Sequence, residues 1–152
     1  MNLCIPSVRP AHGAGFSLLE LLVALAVAGV LASIAYPTFA AQVTKARRID
    51  AIVALSAAQM AQERWRAQKS SYGDLADIGV ASLSSAGHYA LRITASSAAG
   101  YAIVATAQGA QAGDTDCRHL RLEVAGNQLG HASGPDATVA NPAALNRRCW
   151  SL

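Results

Sequence analysis

One carboxylate and two cysteines carry most of the chemistry this sequence offers. Glu20 is the single charge in an apolar run of 26 residues, Phe16 to Ala41. A carboxylate at a bilayer centre costs on the order of 2.5–3.5 kcal/mol, and a cationic partner offsets that cost. Glu20 lies near the start of the run, where the cost is smaller. Cys117 and Cys149 follow the run, and a disulfide there needs an oxidising compartment. His119 and His131 are the histidines that would join the cysteines at a metal, but only Cys117-x-His119 has short spacing. Zinc sites usually show paired ligands, so no metal is expected. Asp114 and Asp116 lie in a Gly-containing loop and read as turn residues rather than calcium ligands. There is no Gly-rich phosphate loop, no nucleophile elbow, and no spacing that unites Ser with His. Neither an enzyme nor a cofactor is expected.

The elements that hold these residues follow from length and pattern. A chain of 152 residues, 53% apolar and 14% charged, points to one modest domain with appendages. About 20 helical residues cross a bilayer core, so the 16–41 run is long enough to span. It is too long for the apolar region of a signal peptide, and too continuously apolar for the core helix of a soluble protein. A plain anchor accounts for everything except Glu20. The flanking charges conflict with the cysteines. Lys45, Arg47 and Arg48 follow the run, against Arg9 and His12 before it. The positive-inside rule would therefore place the C-terminal part in the cytoplasm.

The stretch GFSLLELLVALAVAGVLASIAYP, residues 15–37, resembles the start of type IV pilins. There a polar leader ends in Gly, Phe follows, Glu lies within an apolar helix, and a Pro comes near its end; here these are Gly15, Phe16, Glu20 and Pro37. The resemblance implies cleavage after Gly15 by a prepilin peptidase, N-methylation of Phe16, loss of Cys4 with the leader, and translocation of the rest. Orientation then follows the cysteines. Glu20 is implied to meet the N-terminal amine of a neighbouring subunit, fixing register as a polar group does in a coiled coil; the bland alternative is a carboxylate that snorkels to the interface. Gly29 and Pro37 weaken or bend the helix, although both residues are common in membrane helices.

Past the membrane run, Ile49, Ile52, Val53, Ala57 and Met60 fall near one helical face, and Arg47, Arg48, Asp50, Gln59, Glu63 and Arg66 occupy the rest. This predicts an amphipathic stripe packed on something, within one helix from Phe16 to about Lys69 bent around Pro37. A loop follows from Ser70. HYALRITA, YAIVATA and CRHLRLEVAGNQLG alternate as strands, with Gly126-Asn127 as a hairpin turn. The expected fold is α+β, the type IV pilin fold: a long bent helix on a three- to four-stranded antiparallel sheet. The expected divisions are leader 1–15, membrane and assembly helix half 16–41, amphipathic half 42–69, and head 70–152. The tail from Ala132 shows no period. The resemblance supports a Cys117–Cys149 disulfide closing that tail, worth roughly 3–4 kcal/mol by loop-closure entropy. Residues 93–130 with Cys149-Trp150 are similar in pattern to PilE-type minor pilins.

The resemblance implies a minor pilus subunit that waits in the inner membrane with a periplasmic head and then joins other pilins in an extracellular fibre. Its fibre would serve adhesion, twitching motility or DNA uptake. A pseudopilin of a type II secretion system shares the N-terminal motif and is the second reading. The third is a DNA-binding subunit. After residue 44 there are eleven Lys and Arg against eight acids, and Arg147, Arg148 and Trp150 are the residues to meet phosphate and stack on a base. The alternative is a solvated basic surface.

These readings predict that protein from its host's membranes has an intact mass beginning at Phe16 plus one methyl group. A Glu20→Ala chain should show the same mass in membranes, less the side-chain difference, yet be missing from sheared fibres. An uncut chain beside an active prepilin peptidase, or normal entry of the variant into fibres, would refute the respective reading.

Overall fold

The computed structural model describes residues 16–150 apart from Ala137 and Ala140. The leader, with Gly15 and Cys4, lies outside the described residues. The chain divides into two units, Met1–Phe39 and Ala40–Leu152.

Helix α1, Leu18–Arg66, begins in the first unit. Its start has a local cause. The backbone N–H of Glu20 donates to Ser17 Oγ at 3.2 Å, as in a Ser-x-x-Glu capping box, and a carboxylate in the first turn complements the helix dipole. The most apolar 18-residue window has a mean hydropathy of 2.5, and none of it is buried. Near residue 37, Ser33 and Thr38 return their hydroxyls to the carbonyls of Val30 at 2.7 Å and Ala35 at 2.8 Å. The helix starts two residues later than the expected Phe16 and ends three residues before Lys69.

The second unit, the head, contains the rest of α1 and a four-stranded antiparallel sheet in the order β1 (Tyr89–Ser96), β2 (Gly100–Ala107), β3 (His119–Ala125), β4 (Gln128–Gly134). The β3–β4 turn is Gly126-Asn127, with Ala125 opposite Gln128 and Gly126 at φ +58°, a left-handed position that glycine adopts without strain. Gly100 has no room for a side chain, since an added Cβ would lie 2.1 Å from the Val124 carbonyl oxygen. The alternation read from sequence appears in the first half of β1 and in β3, whereas in the central strand β2 Ala102 and Val104 are buried as well as Tyr101, Ile103 and Ala105. Tyr89, Leu91, Tyr101, Ile103, Ala105, Leu120 and Leu122 form the core with the helix.

The helical face that enters this core differs from the expected one. Ala51, Leu55, Ala58 and Ala61 are buried, together with Arg48 and Gln62, while Ile49, Val53 and Met60 are about 60% exposed. The buried apolar face is made mostly of small side chains, and the two polar groups are buried because each finds partners. Gln62 exchanges two hydrogen bonds with the backbone of Gly73, at 2.6 and 3.0 Å. Arg48 donates from Nε and Nη2 to both oxygens of Asp114, at 2.6 and 2.9 Å. Gln111 Nε2 then reaches Asp114, the Tyr89 hydroxyl and the Thr44 carbonyl. Burial pushes the Tyr89 phenol up to about 12.

The tail also departs from expectation. It contributes the second half of β4 and a short helix α2, Ala143–Trp150. The 108–117 loop is two 3-10 turns, and Asp74–Ile78 makes one helical turn without becoming a helix.

Removing one partner of a buried ion pair strands the other charge, at a cost of about 3–5 kcal/mol. Arg48→Ala should lower head stability by that order in urea unfolding, and Arg48→Met with Asp114→Leu should cost much less. Equal losses for the two would overturn this account. Asp50 gives a pH signature. Burial raises its carboxyl, but the Ser84 hydroxyl and the backbone N–H groups of Ala86 and His88 outweigh it and hold the group below its ordinary 3.8. That stabilisation is present above the ordinary value and is lost as pH falls through the depressed one. Asp50→Asn should therefore melt earlier at pH 7, with the gap closing below pH 3.8. A gap that does not change with pH would contradict the assignment.

Candidate nucleic-acid interface

Three positions bring the basic residues of the head together. The first turn of α1 past the apolar run carries Lys45, exposed, and Arg47, half-buried. The 114–118 loop carries Arg118, whose Nε donates to the Ala112 carbonyl. Helix α2 carries Arg147 and Arg148, both exposed. Arg48 joins these elements, since its Nη1 donates to the Arg148 carbonyl at 3.3 Å while its fork holds Asp114.

The tail is held from several sides. Cys117 and Cys149 form a disulfide with Cα atoms 5.5 Å apart, both residues fully buried. The Trp150 indole donates to the Ala132 carbonyl at 3.0 Å, and its ring meets His131 edge to face at 4.5 Å. Ser133 donates to Asn146 at 2.8 Å. Burial lowers the His131 imidazole from its ordinary 6.5.

This geometry revises the expected site. Trp150 is only 5% exposed and packs in the head, so its ring face is closed to a nucleic-acid base in this conformation. Arg147 and Arg148 remain on the surface, although Arg148 pairs with Asp116. Both cysteine sulfurs are in the disulfide, which leaves Cys117 no thiolate for a metal, and His119 Nδ1 lies 3.0 Å from the Thr106 hydroxyl. Among the described residues, no group of three His, Cys, Asp or Glu could hold a metal ion.

Lys45 and Arg47 enter the sequence reading as flanking charges and within the net charge after residue 44, not as named contact residues, because nothing local in the sequence shows that the tail arginines lie beside their helix turn. The charge distribution gives them weight. The helix turn 45–48, the 114–118 loop and α2 together hold six Lys and Arg against two acids, and the remainder of the head holds five against six. The positive surplus therefore belongs to this one region. Also missed were two cation–aromatic contacts at the far end of α1. Lys69 Nζ lies 5.3 Å from the Trp65 ring and Arg66 lies 5.7 Å from that of Tyr72. Glu63, Asp74 and Asp77 balance the charge there.

Comparison with known proteins fits this architecture. No curated protein matches the chain. Residues 11–36 match the prokaryotic N-terminal methylation motif. Residues 37–121 match the family described as type IV minor pilin ComP, DNA uptake sequence receptor. That second match covers more than half of the chain and takes in most of α1, β1, β2 and the start of β3. The chain belongs to the ComP family of type IV minor pilins.

Proposed function

We propose that this minor pilin takes DNA on its head through Lys45, Arg47, Arg147 and Arg148. The observation that carries the reading is the gathering of the head's whole positive surplus in one region of a chain in the ComP family. Arginine and lysine neutralise phosphates without regard to base identity. Arg147 and Arg148 lie beyond the matched residues 37–121, whereas Lys45 and Arg47 lie within them, so the two pairs are separable by mutation.

A prepilin peptidase cuts after Gly15 on the cytoplasmic side and Phe16 is methylated. The apolar helix then holds the subunit in the inner membrane with its head in the periplasm. Assembly pairs Glu20 with the N-terminal amine of a neighbouring pilin, and Gly29 and Pro37 give the helix places to bend or melt as it packs. The exposed Ile49, Val53 and Met60 supply apolar surface for adjacent helices. The subunit primes, caps or decorates a fibre, and its role is structural rather than enzymatic. The ComP match favours this over a type II secretion pseudopilin.

Duplex DNA binding by the full chain in detergent, measured across salt concentrations, tests the site. Lys45→Gln with Arg47→Gln and, separately, Arg147→Gln with Arg148→Gln should each weaken binding roughly tenfold at low salt. Each should also flatten the log–log salt dependence by about 0.9 for every phosphate that is no longer neutralised. The Arg148–Asp116 pair is exposed, so removing it costs little stability. Unchanged affinity and slope in both double variants would overturn the assignment.

A further inference from the structure

The same patch lies close, along the chain, to the end of the apolar run. Lys45 follows Ala41 by four residues of continuous helix, an axial rise of about 6 Å. Arg147 and Arg148 are tied to this turn, because Arg48 donates to the Arg148 carbonyl at 3.3 Å and the disulfide secures the end of α2. The nearby acids are engaged. Asp114 is held in the fork of Arg48, and Asp116 pairs with Arg148. Lys45, Arg47 and Arg147 have no salt-bridge partner among the described residues, and Lys45 and Arg147 are exposed.

A helix whose apolar run occupies the hydrocarbon core carries its next turn into the headgroup layer. A surface charge is felt over a Debye length of about 8–10 Å, and juxtamembrane cations are drawn to anionic lipid. We infer that Lys45, Arg47, Arg147 and Arg148 bind the phosphates of anionic phospholipid headgroups while the subunit is anchored, and that this occupancy keeps DNA off the patch until the subunit leaves the bilayer. The masking half of this inference rests on the DNA reading above; the lipid half does not. One set of cations cannot neutralise two polyanions at once, so leaving the membrane is what frees the site.

The test uses the full chain in nanodiscs of phosphatidylcholine alone or mixed with phosphatidylglycerol. It follows amide exchange across α2 and, in the same discs, duplex DNA affinity. Phosphatidylglycerol should slow α2 exchange roughly tenfold. That protection should disappear in Arg147→Gln with Arg148→Gln, and should persist in Arg92→Gln, which lies outside the patch. Wild-type chain should bind DNA in phosphatidylcholine discs and lose that binding in the mixed discs. Equal exchange in both discs, or protection that survives in the patch variant, overturns the lipid site. If protection is absent but the patch variant weakens DNA binding in phosphatidylcholine discs, the lipid inference fails and the DNA reading stands. If protection is present but wild type binds no DNA in either disc, the DNA reading and the masking fail and the lipid site stands. Protection by DNA but not by phosphatidylglycerol marks the patch as a nucleic-acid surface only.

Discussion

The buried fork between Arg48 and Asp114 fixes more of this head than any other polar contact. Taking two charges out of water is costly, and the geometry has to repay it. Here both carboxylate oxygens are engaged by the guanidinium, and Gln111 adds a third donor. The pair sets the 3-10 turns that lead into Cys117, Cys117 sets the end of α2 through the disulfide, and α2 sets Arg147 and Arg148. A single helical residue thus decides where the exposed arginines stand, by way of a loop and a covalent bond. The fork supplies position as much as stability, because the neighbouring helical contacts to the sheet are mostly alanines that specify little by shape.

Much of this was legible beforehand. The helical apolar run, the positions of the three strand segments and the Gly126-Asn127 turn rest on local rules that tertiary structure did not overrule, although β2, a central strand, buries both of its faces. The helical face was misread because hydrophobicity was taken as the guide to burial. On this helix the buried residues are small, or are polar with partners far along the chain; Arg48 and Asp114 are separated by 66 residues, and no local pattern announces such a pair. Helix α2 was missed for a related reason. Eight residues make a marginal helix alone, and this one exists because Cys149 and Trp150 are buried in the head. Burial likewise turned Trp150 from an expected surface platform into a core residue. The charges after the membrane run were visible, but which of them remain free depended on Arg48 finding its acid.

The part of α1 that belongs to the head carries two unlike faces. One is smooth, made of Ala51, Leu55, Ala58 and Ala61, and is buried in the head. The other presents Ile49, Val53 and Met60 to solvent, more apolar surface than an isolated subunit needs. A globular protein would place the bulkier residues inward. A helix that must satisfy its own sheet and later its neighbours in a fibre divides its surface this way, with small side chains on one side and bulk on the other.

The disulfide closes a ring across 32 residues of sequence, from the entrance of β3 through β4 to the end of α2. Pro135 and Asp136 are exposed within that ring, and exposed loop positions are where nicking concentrates. A cut there breaks the backbone and leaves the molecule in one piece, because α2 stays attached through Cys149 to a residue ahead of β3. That is tolerance of damage: the basic tail survives a nick in this exposed stretch, and is shed only where a reductant follows the protease.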